Sequence, residues 1–419
     1  MTNDKIINVH HIVSMRFAYI KPNNAVRELK RIGIPPTCIP EGGPDSYVAH
    51  FLDVAGGFPC LIISEHLYPQ KDEVLKKGNT EVYSYCIRPS FGKNGKRFYD
   101  VPLISLPLRL WIALRIYYKL VRFKPDVLLS WTASFSLWAS YLASKTLSVP
   151  FIYSRHTRFV QFDEAWFKKI IDGIDKYIIR RVKAIIVHGP YIKKEMLSIK
   201  VMPEKIIEFN WSFKHFLAAN KNPEPSFFLD AWKSSKIILF IGRLEARKGV
   251  FDLLAAYQKL LRASNECMLA YAGSGGAYDA LYEKIKAHEL EGRVRLLGMV
   301  PHNQLPHIIR DCYIVVTPSR SVFAEGRCMA TMEGLVLGKP VIAPNNGPFP
   351  FLVKDHQNGL LFHPDSVEDL SIKINKVVED DELYARLKKG AEETAKILVK
   401  APVNFSKAVL MAFKKVAIY

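Results

Sequence analysis

Eleven short apolar runs, many of them β-branched, recur along the chain at roughly helix-length intervals, and this alternation constrains the fold more than any other feature. IINVHHIV, CLIIS, DVLLSW, FIYSRH and AIIVHG fall in the first half; IILFIGR, MLAYAG, VRLLG, YIVVTPS, PVIAP and GLLFH follow residue 235. Runs that are greasy throughout belong to strands buried on both faces, as in parallel sheets covered by helices. The fold class is therefore α/β. The series is interrupted at residues 212–236, SFKHFLAANKNPEPSFFLDAWKSSK, where a polar, Pro-containing stretch separates two sets of strands. The expected organisation is a doubly wound domain over 1–212, a linker over 213–235, and a second doubly wound domain over 236–400. A helical segment over 401–419 closes the chain. In such sheets ligands bind beyond the carboxyl ends of the strands, and two facing domains would form a cleft.

Composition narrows the partners. The 59 Lys and Arg against 40 Asp and Glu leave a formal charge of +19, which implies a polyanion: nucleic acid, anionic lipid or a phosphorylated small molecule. No nucleic-acid-binding module is recognisable, so nucleic acid is excluded as the expected partner. The six cysteines stand singly without a CxxC pair, so neither a zinc site nor a disulfide framework is expected, and a reducing cytosol fits. MTNDKIINVHH lacks the character of a secretory signal, and the greasiest region, VPLISLPLRLWIALRIYY, is interrupted by Arg109 and Arg115.

The second half carries the chemistry. IILFIGRLEARKGVFDLLAAYQKLL reads as strand, glycine turn and amphipathic helix, with Arg243 and Lys248 just past the strand end. Arginine offers a planar fork and lysine a point charge to a diphosphate; the plainer reading makes them solvated first-turn residues. YIVVTPSRSVFAEGRCMATMEGLVLGKPVIAP then gives strand, loop, helix and strand. Its helix is expected from about Gly326 to just before Gly338, which serves as a left-handed cap. Glu325 falls at the helix entrance, where an acid can simply cap. Glu333 lies two turns in among Met332, Leu335 and Val336, and needs partners if it is buried.

GRLEARKG, AGSGG, RVRLLGMVP, TPS, EGRCMATMEG and GKPVIAP, in this order over about 100 residues, resemble the donor-binding domain of the family 4 retaining glycosyltransferases, which have the GT-B fold of two Rossmann-like domains facing across a cleft. The resemblance implies that Arg243 and Lys248 bind the diphosphate of a nucleotide sugar, Glu333 holds the ribose hydroxyls, Glu325 meets the transferred sugar, and backbone at Gly298, Met299 and Val300 takes the base. It also makes Gly326, Arg327, Cys328 and Met329 the helix entrance beside the sugar. Where the family writes glycine, aromatic, glycine, this chain has Gly326, Arg327 and Cys328, which leaves the sugar unnamed. Fixed cations and helix N–H groups offset the charge developing on the leaving diphosphate, so no metal or cofactor is expected; the sequence has no Asp-x-Asp pair.

In the first half the resemblance is one of layout. It makes His156, after FIYSR, a pocket histidine that polarises a hydroxyl or contacts the donor, against a plain role as a strand-end residue. Gly42 and Gly43 resemble the loop that lets an acceptor approach. Residues 102–125 combine apolar side chains with Arg109, Trp111, Arg115, Lys119 and Arg122, a pattern that suits an anionic bilayer surface as well as a core-packed helix. Residues 166–183 form a second basic amphipathic stretch. The sequence thus reads as a retaining, metal-independent glycosyltransferase, cytoplasmic and peripheral on a membrane, with a lipid-linked or glycan acceptor. The rival readings are a nucleotide-sugar epimerase or phosphorylase on the same fold, or a non-catalytic sugar-nucleotide-binding module.

Overall fold

The computed structural model describes residues 16–22, 51, 59–66, 73–86, 102–156, 166–211, 213, 216–217, 232, 235–261, 267–323, 325–400 and 403–417. They form two compact units. The first contains β1 (Phe17–Pro22), β2 (Cys60–His66), β3 (Glu73–Lys77), β4 (Thr80–Cys86), β5 (Val127–Ser130), β6 (Phe151–Arg155), β7 (Ala184–His188) and β8 (Ile206–Phe209), in the order β3-β4-β2-β1-β5-β6-β7-β8. Every pairing is parallel except the β3–β4 hairpin. β5, β6 and β7 are buried at every position, the polar Ser130, Ser154, Arg155 and His188 at or near their ends included, as strands covered on both faces are.

The sequence reading passed over β1, the hairpin and β8, for a common reason. FAYIKP, EVLKK, TEVYSYC and IIEF mix aromatic, charged and hydroxyl side chains instead of presenting an aliphatic run. β3 is an edge strand whose Val74 is exposed, and β8 buries only alternate residues. The run IINVHHIV lies outside the described residues.

Three helices lie in the connections to the parallel strands of this sheet: α1 (Pro102–Phe123) before β5, α2 (Ser134–Thr146) between β5 and β6, and α3 (Trp166–Arg181) between β6 and β7. α1 packs on α2, and α2 on α3. Asp175 of α3 caps α2 from outside. Its carboxylate accepts the Ser134 N–H at 2.9 and 3.1 Å and the Trp138 indole N–H at 2.7 Å. Helix α4 (Gly189–Ser198) follows β7.

The second sheet contains β9 (Lys236–Ile241), β10 (Cys267–Ala272), β11 (Val294–Gly298), β12 (Ile314–Val316), β13 (Val341–Pro344) and β14 (Gly359–Phe362), all parallel, in the order β11-β10-β9-β12-β13-β14. Among its helices are α5 (Val250–Leu261), α6 (Tyr278–Ala287), α7 (Leu305–Asp311), α8 (Met329–Val336), α9 (Phe349–Leu352), α10 (Val367–Glu379) and α11 (Asp381–Val399). The core of this unit is built from Ile238, Phe240, Leu253, Tyr257, Leu269 and Tyr271 with their neighbours.

The first unit runs to Trp211, and the second takes up the chain from Ser212 to Pro402. Within the stretch read as a linker, Phe213, Phe216 and Trp232 are buried, so this stretch contributes anchors as well as length. Helix α12 (Phe405–Ala417) belongs to the first unit and lies against β7 and β8. Phe413 stacks on Phe17 at 5.0 Å, and the Asn210 N–H donates to the Val403 carbonyl at 3.0 Å.

Candidate active site

The strand order of the second sheet reverses between β9 and β12, so the loops leaving their carboxyl ends flank the switch point, the place where sheets of this kind bind ligands. Both loops carry the charges singled out in the sequence. In the loop after β9, Glu245 takes Arg243 Nη1 and Arg247 Nε on its two oxygens, each at 2.6 Å. Partial burial raises the Glu245 carboxyl, but the Arg247 hydrogen bond and the charges of Arg243, Arg247 and Lys248 together hold it below its ordinary pKa. Gly249, at φ 73°, ends the short turn Ala246–Lys248; a Cβ there would stand 1.9 Å from the Pro318 carbonyl oxygen. Only glycine lets the two loops lie this close.

The loop after β12 supplies the partner charge. Lys248 Nζ forms an ion pair with Glu325 Oε1, and Ser319 Oγ donates to the same oxygen at 3.2 Å. Glu325 is buried, and the Phe323 ring lies 4.2 Å from Lys248 Nζ and 4.8 Å from the Arg247 guanidinium. The loop is pinned from behind. The Arg320 N–H donates to the Arg247 carbonyl at 3.0 Å, Ser321 donates its N–H to Asp365 at 2.9 Å, and Arg320 reaches Asp252 and Asp365 at 3.4 and 3.7 Å.

Helix α8 starts at Met329, three residues later than the sequence reading placed it. Residues Gly326, Arg327 and Cys328 therefore form extended or bent backbone, and Glu325 is not its capping residue. Cys328 occupies the N-cap without a side-chain capping bond. Its thiol is pushed up to about 11 by burial, and Glu325 adds to the shift. Thr317 Oγ1 and Thr331 Oγ1, 3.1 Å apart, tie the helix start to the end of β12. Gly338, at φ 70°, follows the helix as the left-handed residue expected there. Glu333 falls one turn into α8, not two, and is buried with Oε1 3.2 Å from His302 Nε2. Arg327 runs along the helix, Nε 2.9 Å from Met332 Sδ.

Arg243, Lys248, Glu325, Cys328, Met329 and Glu333 thus belong to loops and a helix at one edge of one sheet. Gly298 ends β11, and Met299 and Val300 follow it on the same edge, with Met299 four-fifths exposed. Residues the sequence reading missed are Glu245, Ser319, Phe323 and His302. Each is ordinary alone and acquires a role only through the partner that the fold sets beside it.

In the first unit, His156 is 4 % exposed. Its Nε2 lies 2.7 Å from Ser154 Oγ, and its ring packs on Trp131 at 4.0 Å and on Phe209 and Phe405 at 5.5 Å each. The plain reading of a buried strand-end residue is the one this geometry fits. Gly42 and Gly43 lie outside the described residues.

On α1, Ile112, Ile116 and Leu120 face the core. Arg115 and Lys119 turn toward the sheet rather than outward: the guanidinium lies 4.1 Å from the Tyr85 ring and 4.4 Å from Trp111, and the Lys119 ammonium 4.0 Å from Tyr83. Arg109 is half-buried and Arg122 exposed. What α1 exposes is an apolar stripe of Leu106, Leu110, Trp111, Leu114 and Tyr118. Among the described residues no helix is long and apolar enough to cross a membrane.

Two doubly wound units, one with cations and buried glutamates at its switch point, are the components of the GT-B fold class. The model for glycosyl transferases group 1 matches residues 224–394, and that for glycosyltransferase family 4 matches residues 75–207. The chain belongs to this group 1/family 4 glycosyltransferase family. It is 24 % identical over 261 residues to the alpha-D-kanosaminyltransferase of Streptomyces kanamyceticus, covering 60 % of this chain and 67 % of that protein. It is 25 % identical over 317 residues to a sulfoquinovosyl transferase of Arabidopsis thaliana, covering 72 % of this chain and 60 % of that one. Among solved structures, Anabaena HepE in complex with UDP superposes with a TM-score of 0.65 at 17 % identity, covering 97 % of this chain and all of HepE.

Proposed function

We propose that the protein transfers a sugar, with retention at the anomeric carbon, from a nucleotide diphosphate sugar to a membrane-associated glycan or lipid acceptor. The observation that carries this reading is the meeting of Lys248 with Glu325 at the switch point of the second sheet, where such folds bind ligands. Bond cleavage between the anomeric carbon and the diphosphate leaves negative charge on phosphate. In this reading Lys248 and Arg243 balance it and no metal is needed; a bound diphosphate competes with Glu325 and Glu245, their partners in the structure, for them.

In this reading Glu325 orients the sugar and Glu333 the ribose. The anomeric carbon–oxygen bond to the diphosphate breaks as a bond to the acceptor oxygen forms on the same face, and the acceptor proton passes to the leaving phosphate. No glutamate acts as a nucleophile. His156 is left out of this machinery because it is enclosed by aromatic rings. The acceptor's membrane setting draws support from the apolar stripe of α1 and the net charge of +19.

The test is to screen nucleotide sugars for slow hydrolysis without acceptor, then to follow the product by proton NMR with the donor so found. An axial donor should give an axial product first; an equatorial first product rules out retention, and consumption of no nucleotide sugar rules out the whole reading.

A further inference from the structure

We propose that His302 is a positioning residue for the donor nucleoside: its Nε2 fixes the carboxylate of Glu333, and Phe216 braces its ring. The proposal rests on the reading of Glu333 as the ribose partner. Glu333 sits in α8 at 4 % exposure beside Met332, Leu335 and Val336, surroundings in which a carboxylate needs a hydrogen-bonding partner to hold its orientation. His302 Nε2 lies 3.2 Å from Glu333 Oε1. A carboxylate oxygen accepts more than one hydrogen bond, so Oε1 can take the imidazole N–H and a sugar hydroxyl together.

The brace comes from the stretch that enters the second unit. The Phe216 ring lies 5.3 Å from the His302 ring; Phe216 is itself buried and meets Phe213 at 6.1 Å. His302 also stands in the loop that carries Gly298, Met299 and Val300, so one loop serves the base through its backbone and the ribose through Glu333. The His302 side chain remains half-exposed, at 47 %, as suits a residue at the edge of a binding crevice.

Because His302 acts on the nucleoside and not on the breaking bond, its loss should weaken donor binding and spare turnover. The intact chain is titrated with UDP, GDP, ADP and dTDP by calorimetry, and the tightest ligand and its glucose donor are carried into variants. His302→Ala should weaken nucleotide binding and raise KM about tenfold, with kcat within about threefold of the parent. His302→Gln, whose amide can still donate, should recover most of that loss, which a merely structural role would not require. In a Glu333→Gln background His302→Ala should cost less than threefold more, because the two act as one unit. Equal affinities for His302→Ala and parent, or a full additional tenfold loss in the Glu333→Gln background, overturn the proposal. If Glu333→Gln itself binds every nucleotide as the parent does, the reading of Glu333 fails and takes this one with it. If Glu333→Gln is impaired and His302→Ala is not, only the role of His302 falls.

Discussion

Lys248 is held by three neighbours from a loop far along the chain: Glu325 by ion pairing, Phe323 by its ring face, and Ser319 through the shared carboxylate oxygen. The sequence made Lys248 and Glu325 legible because each stands in the loop that follows a strand, within a recognisable order of motifs. It could not make His156 legible, since what folds over that residue is Phe405 of the last helix. Cys328 shows the same limit. Its place beside Glu325 was readable, but burial is what raises its thiol to about 11. With so little thiolate near neutrality, Cys328 should resist iodoacetamide at about pH 8 in the native protein and label readily in denaturant, as peptide mass mapping would report. Labelling at comparable rates in both states would contradict its placement.

At the scale of elements, strands buried on both faces were readable as greasy runs, whereas the β3–β4 hairpin was not. Its aromatic and charged residues make sense only once α1 lays Arg115 and Lys119 on Tyr85 and Tyr83. The late start of α8 was hidden for a similar reason, since Thr317 and Thr331 tie its first turn to β12. The cap that α3 provides to α2 also depends on tertiary structure. Burial raises the Asp175 carboxyl, opposed by the Ser134 and Trp138 hydrogen bonds and the Arg155 charge. Removing it leaves an N–H pair unsatisfied, so Asp175→Ala should cost about 1–3 kcal/mol in denaturant unfolding. With a folded pKa above the unfolded one, the contribution of Asp175 is fullest below the ordinary aspartate value and declines as pH rises through the folded value. Asp175→Asn should remove that decline from the stability profile; an unchanged profile would show that the group does not titrate as described.

For the whole molecule, the proposed membrane setting rests on a formal charge of +19 and an exposed apolar stripe on α1. The stripe shifts attention from the cations to Trp111, half exposed, and Leu114, two-thirds exposed. Flotation with vesicles containing anionic lipid should fall severalfold for Trp111→Ser combined with Leu114→Ser, with the folded state unchanged by circular dichroism. Flotation equal to the parent's would remove α1 from the membrane-binding surface. The central claim is that the crevice between β9 and β12 holds a donor diphosphate, and the most direct measurement compares donor hydrolysis by the parent and by Lys248→Ala at saturating donor. The rate should fall by about ten- to a hundredfold, as expected for one charge-assisted contact strengthened at the transition state. A Lys248→Ala rate equal to the parent's would contradict that claim.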